Sequence, residues 1–548
     1  MAPLQGTSSI VSDHGHGCTC ETCLAKYQAG PHALDRILIA RLSAAAVLFF
    51  ASWICLAPLR TVSLLLALAS IFTAGYDRLL RTVSDLIRKR EIGEDVLMLV
   101  SAVAAFSIGR WLEGALGMLL VQGSALLTCH IKEKTRRELE EAGVKPDSER
   151  RSRWEEFIAC FVRVYTPIVL MIAALMAVAL PLVLQTTVKT GVYRALLLMV
   201  IACPCVFALT VPLSFRAGLG AAAAQGIRVR STWTEDALCW TETIVFDQAP
   251  TLEGEDLRVL SVKSECMDAD TFLRIAAHAC AYSDGDYARG IKAAYPGTIY
   301  IEFLQSFSQE PGRGITVEVE NVPIVLGTEE FVREHGVDPG DDATTERSAY
   351  LGINGRYAGR LLLGHVAREG AAASVAALSW DKERELLLFS ADPPATAEKF
   401  ARSVGVAQFY ADCTPKRRTE LLWNISEERR HGSTLLYAGD PSTDPDCFDL
   451  ADVGAAASGK ADLLADDPGP ASIFCGIETA RQVRRIVRQN VYGALGFKLV
   501  VLGLDLLGIC PLWLAIFADA GVTLAAVCNT LRVLRVRAVR PGVPNSES

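Results

Sequence analysis

The sequence lacks a positive excess. Lysine and arginine number 54 against 62 aspartates and glutamates, a formal net charge of −8. That balance argues against a nucleic-acid-binding protein and leaves no nucleic-acid partner in view. The first 34 residues lack an apolar core, so no secretory signal is read there. The sixteen cysteines lack the regular spacing of a disulfide framework, and many sit in apolar segments. They read as mostly reduced thiols facing cytosol or membrane. What abounds is apolar sequence: 51% of residues are hydrophobic, mean hydropathy is +0.28, and yet 21% are charged. The mixture points to membrane spans joined to soluble domains.

Eight apolar runs are expected to span a membrane: 37–59, 62–76, 95–108, 111–127, 157–184, 195–213, 490–508 and 510–533. Some are shorter than the ~20 residues a span needs and must borrow flanking residues. Basic residues orient them. Arg78, Arg81, Arg88, Lys89 and Arg90 follow the second run; Lys132, Lys134, Arg136, Arg137, Arg150, Arg151 and Arg153 follow the fourth. Arg535, Arg537 and Arg540 follow the last, whereas the alternate loops carry only Arg60, Arg110, Lys189 and Arg194. The positive-inside rule then places both termini and segment 214–489 in the cytosol.

The sixth run contains Cys203-Pro204-Cys205. Pro204 has no backbone N–H and disfavours a straight helix. A carbonyl freed there, flanked by two sulfurs, suits a soft cation in mid-membrane. The simpler alternative is a kinked structural helix with two inert thiols. In the tail, His14, His16, Cys18, Cys20 and Cys23 suit zinc, cadmium or copper(I). The alternative there is a tail with no ligand. Lys498 and Asp519 lie inside apolar runs, where an ionised group costs ~2.5–3.5 kcal/mol on insertion scales. They should pair with each other, or Asp519 with a cation. Asp505 is a further intramembrane carboxylate, placed near the outer interface.

Segment 214–489 reads as α/β. Strands over 243–247, 385–389 and 433–438 run into Asp247, Asp392 and Asp440. Strands ending in aspartates, with helical stretches between, suggest a doubly wound sheet with its site at the carboxyl ends. The stretch 256–363 interrupts it with alternating patterns and the turn Gly312-Arg313-Gly314, as an inserted α+β subdomain would.

Taken together and in order, these features resemble the heavy-metal-transporting P-type ATPases, the zinc/cadmium branch in particular, from about Ile37 to Arg535. The resemblance includes Gly109-Arg-Trp-Leu-Glu-Gly114, Tyr165-Thr-Pro167, Cys203-Pro-Cys205 and the linker 218–226. It continues through Phe246-Asp247 with Thr251-Leu252, Gly312-Arg-Gly314, Ala451-Asp-Val-Gly454, Lys498, Ala518-Asp519-Ala-Gly521 and Asn529-Thr-Leu-Arg532. It implies eight membrane helices plus a cytosolic α/β, HAD-like phosphorylation domain with an inserted α+β nucleotide-binding-like domain.

The implied layout is a Cys/His-rich tail (1–34), four spans (35–128), a short linker (129–155) and two spans with Cys-Pro-Cys (156–215). The linker and start of the phosphorylation-like domain (216–255), the nucleotide-binding-like domain (256–370) and the rest of the former (371–486) come next. Two spans (487–535) and a tail (536–548) close the chain. The resemblance assigns the transported zinc or cadmium to Cys203, Cys205 and Asp519, its release to Lys498 and its exit to Glu113. It makes Asp247 the phosphorylation site, Asp440 and Asp444 magnesium ligands, and Gly312, Gly314 and Asp392 nucleotide or phosphate contacts. Lys416 or Arg418 would close the phosphate site.

The departures bear on activity. The family's Asp-Lys-Thr-Gly-Thr reads Asp247-Gln248-Ala249-Pro250-Thr251, so the lysine that offsets phosphate charge is glutamine. Thr-Gly-Asp has become Ser390-Ala391-Asp392, and Gly-Asp-Gly-x-Asn-Asp has become Gly439-Asp440-Pro441-Ser442-Thr443-Asp444. The adenine-contacting Ser-Glu-His-Pro has become Ser283-Asp284-Gly285-Asp286. No Thr-Gly-Glu occurs, and a short charged linker stands where the family has an actuator domain. The expectation is a pseudo-pump with Asp247 as a vestigial site, in which magnesium and ATP have little role. The alternatives are a working exporter with an atypical site, and a non-functional remnant. Expected partners are membrane lipid, the heavy-metal cation, and a partner pump or metal-donor protein, in a bacterial plasma membrane.

Overall fold

The structure, a computed structural model, describes residues 31–56, 59–88, 106, 109–147, 149–183, 185, 187–319, 321–340, 347–381, 384–538 and 541. The tail ligands His14, His16, Cys18, Cys20 and Cys23 lie outside the described residues. So do Lys89, Arg90, Arg540, the third apolar run apart from Phe106, and the side chains of Arg78, Arg81 and Arg88.

Six helices open the described chain: α1 (Pro31–Ile54), α2 (Arg60–Arg88), α3 (Trp111–Glu141), α4 (Arg153–Val183), α5 (Val188–Ile201) and α6 (Cys205–Ala223). Among the described residues, four helical stretches are long and apolar enough to cross a membrane: Trp111–Glu141, Arg153–Val183, Val188–Ala223 and Leu512–Arg535. Leu38–Ile54 and Arg60–Tyr76 are shorter apolar helices. On α4 the apolar side chains of Phe157, Met171, Leu175 and Leu182 stand exposed, as on a helix solvated by lipid. Small residues allow close approach elsewhere. A Cβ on Gly220 of α6 would lie 3.1 Å from the Thr135 Cα of α3.

Residues 142–152 connect α3 to α4 and are pinned to the α/β part of the chain beyond α6. The Asp147 amide donates to the Arg230 carbonyl at 2.7 Å, and Arg150 pairs with Asp462 at 3.1 Å. Ser152 and Glu155 form a reciprocal capping box at the start of α4, at 2.9 and 3.1 Å. Glu155 also accepts from the Thr232 hydroxyl at 2.6 Å, which ties α4 to α7 (Thr232–Leu238).

The strands are β1 (Ile227–Val229) and β2 (Thr241–Asp247), then β3 (Glu253–Ser264), β4 (Leu304–Glu310), β5 (Gly314–Val319), β6 (Val322–Gly327), β7 (Ser348–Ile353) and β8 (Arg356–Ala367). After them come β9 (Glu385–Phe389), β10 (Gln408–Tyr410), β11 (Thr434–Ala438), β12 (Val453–Ala456) and β13 (Leu463–Ala465). One sheet has the order β1-β13-β12-β11-β2-β9-β10 and is parallel apart from β1. The other is antiparallel, β3-β8-β7-β6-β5-β4, and is inserted between β2 and β9.

The near-continuous apolar runs of β2, β9 and β11 follow from burial on both faces. Ile244, Phe246, Leu388 and Leu436 fill one core; Val245, Leu387, Phe389, Leu435 and Tyr437 fill the other. Register sets the site. Phe246 pairs with Ala438 and Asp247 with Phe389, so the ends of β2, β9 and β11 meet at one edge.

Three further helices are α8 (Gln248–Thr251), α9 (Pro415–Glu428) and α10 (Pro470–Leu506). The 37 residues of α10 extend about 55 Å. Its first turns pack Ile473, Cys475 and Ile477 into the parallel-sheet core, and its far half carries Lys498 and Asp505.

Candidate functional site

The helix breaks where Pro204 predicts. Helix α5 ends at Ile201, Pro204 caps α6, and Cys203 lies between them outside either helix. Asp519 sits in a one-turn π-helix, Phe517–Gly521, between helices Leu512–Ile516 and Val522–Thr530. Such bulges release a carbonyl. Here the Thr523 hydroxyl donates to the Asp519 carbonyl at 2.7 Å.

These two irregularities bring Cys203, Cys205 and Asp519 together, with their ligand atoms all within 4.8 Å of one another. Cys203 and Cys205 are joined as a disulfide, while the other eleven described cysteines take part in no disulfide. The expectation of reduced thiols is therefore corrected at this pair, whose sulfurs the proline break turns towards each other. Reduction of that bond yields two thiols beside a carboxylate, a donor set for a soft or borderline divalent ion.

Lys498 meets the same point from α10. Its ammonium donates to Asp519 Oδ1 at 2.9 Å, to the Cys203 carbonyl at 2.8 Å and to the Ile201 carbonyl at 3.1 Å. It thus pairs the intramembrane carboxylate and satisfies carbonyls that the helix break leaves open. Glu113 lies apart, in the first turn of α3, paired with Arg110 at 3.1 Å. One of its oxygens has no partner among the described residues.

At the carboxyl edge of the parallel sheet, Asp247 ends β2 and α8 starts at once. Pro250 is tolerated in this short helix because its first turn needs no N–H from that position. Buried Arg418 projects from α9 and donates to Asp247 Oδ2 at 3.2 Å and to Asp444 Oδ2 at 2.6 Å. Tyr437, from β11, donates to the same Asp444 oxygen at 2.9 Å. Of the two basic residues expected here, Arg418 is the one that meets Asp247, and Lys416 is exposed two residues earlier.

Gln248 turns the other way, donating to Asp392 at 2.8 Å and Glu253 at 2.6 Å. Asp440 is engaged by its own loop: the Ser442 amide and hydroxyl and the Thr443 hydroxyl donate to it at 3.0, 2.5 and 3.1 Å. Those bonds hold its carboxyl below the usual range.

Burial pushes the Asp247 carboxyl up to about 7; Arg418 opposes this, and Asp444, Glu253 and Asp440 add to it. A partly protonated carboxyl is a weaker nucleophile. The arrangement does not fit a divalent cation. A guanidinium bonds both Asp247 and Asp444, and Asp440 is turned into its loop. Glu253 and Tyr437 were not legible as site residues, because nothing local to either marks a partner so distant in sequence.

Gly312, in the turn between β4 and β5, and Gly314, the first residue of β5, lie on a cavity of about 370 Å³ lined by Cys280, Ser283, Gly285, Asp286, Glu310 and Arg313 among others. Gly312 has φ +77°, the left-handed conformation its turn requires. Arg313 is held by Glu310 at 2.8 Å and by Glu334 at 2.5 Å. The Lys292 ammonium donates to the Ser283 carbonyl at 2.7 Å. Arg313, which lines the cavity, is thus already engaged.

No protein-family model matches the chain. It is 31% identical over 404 residues to the cadmium, zinc and cobalt-transporting ATPase of Bacillus subtilis, covering 72% of this chain and 58% of that protein. It is 28% identical over 402 residues to the zinc-transporting ATPase of Synechocystis, covering 72% and 56%. With the zinc/cadmium/lead-transporting P-type ATPase of Escherichia coli it shares 26% over 412 residues, covering 72% and 55%. The chain spans a little over half the length of the curated relatives it matches. Its fold is similar to two crystal structures of a zinc-transporting PIB-type ATPase, each at 20% identity. The TM-score is 0.65 for one of them, covering 91% of this chain and 100% of that one. For the other, in a different state, it is 0.63, covering 90% and 99%.

Proposed function

We propose that this chain is a member of the heavy-metal-transporting P-type ATPases that works as a pseudo-pump: it binds zinc or cadmium in its membrane part and does not run the ATP-driven cycle. The observation that carries this reading is the Asp247–Arg418–Asp444 triad. Phosphoryl transfer needs an ionised nucleophile, a divalent cation and a positioned positive charge beside the phosphate. Here the nucleophile and a carboxylate of the proposed magnesium site are bonded to an arginine, and glutamine stands in place of the lysine. The relatives' transported ions support zinc or cadmium as the ligand of reduced Cys203, Cys205 and Asp519. Sulfur and carboxylate donors suit both ions.

In this reading Lys498 competes with the ion for Asp519. An incoming cation displaces the ammonium, which keeps its bonds to the Ile201 and Cys203 carbonyls; on release it returns to the carboxylate. Glu113 lines the exit side. Eight spans with both termini cytosolic, a metal-capturing tail, and a metal-donor protein or partner pump complete the proposal. The 142–152 connector stands where an actuator domain would be, so the chain has no built-in coupling between Asp247 and the metal site.

Metal-dependent ATP hydrolysis by the full chain in detergent tests the reading. Rates with and without zinc should match each other and those of Asp247→Asn. Zinc-stimulated turnover abolished by Asp247→Asn would contradict it.

A further inference from the structure

The metal site is held by two crosslinks between α5 and α10, and only one of them touches it. The first is Lys498, already described, which reaches from α10 to the Ile201 and Cys203 carbonyls at the end of α5. The second runs the opposite way. Arg194 of α5 donates from Nη1 to the Asp505 carbonyl and lies 3.4 Å from Asp505 Oδ1, in the last turn of α10. The Asp505 side chain is buried. Gly508 makes the α10 C-terminal turn in the left-handed conformation, φ +82°, with its amide donating to the Asp505 carbonyl at 2.9 Å. A Cβ on Gly508 would lie 2.7 Å from Arg194 Nη2, so the guanidinium rests directly on this turn.

The arrangement is reciprocal. Each helix supplies a cation to the carbonyl end of the other, where the helix dipole and open carbonyls favour positive charge. The register is matched as well. Arg194 and Ile201 are seven residues apart on α5; Lys498 and Asp505 are seven apart on α10. Both separations correspond to about 10.5 Å along a helix axis, so antiparallel packing closes both crosslinks at once. A slip of either helix by a turn breaks both. The Asp505 side chain is buried, so little water is at hand to replace a lost partner.

We propose that Arg194 is a positioning residue for the Cys203–Cys205–Asp519 site: through Asp505 it fixes the register of α5 on α10 and so holds the Cys203 carbonyl against Lys498. This rests on the metal-binding reading above. Arg194 touches no ligand atom of the site; it acts by keeping the helix that delivers Cys203 in place. One guanidinium nitrogen, Nη1, serves both acceptors of Asp505, so a lysine at this position keeps the single cation that the crosslink uses.

The test is equilibrium zinc binding to the reduced full chain in detergent. The background carries Cys18→Ser, Cys20→Ser and Cys23→Ser, to silence the tail. Arg194→Ala should weaken binding at least about tenfold, in the range typical of residues that orient metal ligands. Asp505→Asn keeps the carbonyl acceptor and should weaken binding less, and Arg194→Lys should restore most of the affinity. Should Arg194→Ala fail to fold, Asp505→Asn and Arg194→Lys decide. Unchanged affinity in the substituted chains overturns the proposal, as does an Arg194→Ala loss that Arg194→Lys does not restore. A parent chain that takes up no zinc overturns the metal-binding reading itself.

Discussion

Arg418 and Asp247 are 171 residues apart in sequence and 3.2 Å apart in space, with Asp444 on the same guanidinium nitrogen at 2.6 Å. All three side chains are nearly sealed from solvent. Such a triad holds its charges only while complete. Arg418→Ala leaves two buried carboxylates without their cation and is expected to cost about 3–5 kcal/mol. The readout is thermal unfolding of the purified protein. Adding Asp247→Asn to that variant should recover part of the loss, because one of the stranded charges is gone. An Arg418→Ala protein as stable as the parent would rule out the triad.

The membrane site makes a simpler claim. With the tail silenced by Cys18→Ser, Cys20→Ser and Cys23→Ser, the reduced chain should hold about one zinc or cadmium ion, as a single cluster of three donors would. Cys203→Ala with Cys205→Ala should abolish that ion, and Asp519→Asn should weaken it. Unchanged metal content in the double cysteine variant would place the ion elsewhere.

Glu235 of α7 gives the pH dependence a sign. Its carboxyl is fully buried, a Cβ on Gly218 would lie 1.8 Å from its Oε1, and neither oxygen has a partner among the described residues. Burial holds its pKa well above the ordinary 4.5, and Glu155 and Asp236 push the same way. Arg153 and Arg484 face the neighbouring Asp236. The folded chain therefore keeps a proton that the unfolded chain releases. The stabilisation is whole below the unfolded value of 4.5 and is lost as pH rises towards the folded one. From about pH 5 to about pH 8 the parent should lose more melting temperature than Glu235→Gln, which carries no titrating group there. Parallel pH profiles for the two proteins would contradict this.

Much of the fold was legible because its signals are local. Apolar runs and basic loops mark membrane helices, and strands ending in Asp247, Asp392 and Asp440 mark a sheet edge. Cys203-Pro204-Cys205 announces its own break, since proline removes a donor wherever it stands. The eight-span reading is a proposal: four helices among the described residues are long and apolar enough to cross a membrane, and part of the charge pattern behind the count lies outside the described residues. The choice between Lys416 and Arg418 was not legible. Two residues along α9 turn a side chain by about 200°, and only the packed helix shows which one faces Asp247. The π-turn at Asp519 and the Arg194–Asp505 crosslink were hidden for a related reason. The crosslink joins residues 311 apart, and the π-turn has no proline within it to announce it.

The central claim is that Asp247 no longer accepts a phosphoryl group. Losing one preorganised charge beside a phosphate costs roughly 3 kcal/mol, about a hundredfold in rate. Gln248 and the Arg418 triad act on the same step. The most direct measurement incubates the full chain with radiolabelled ATP, magnesium and zinc, quenches in acid, and follows label on the protein. The account predicts no hydroxylamine-sensitive label above that of Asp247→Asn. A label that hydroxylamine removes and Asp247→Asn abolishes would contradict it and return the chain to the working pumps.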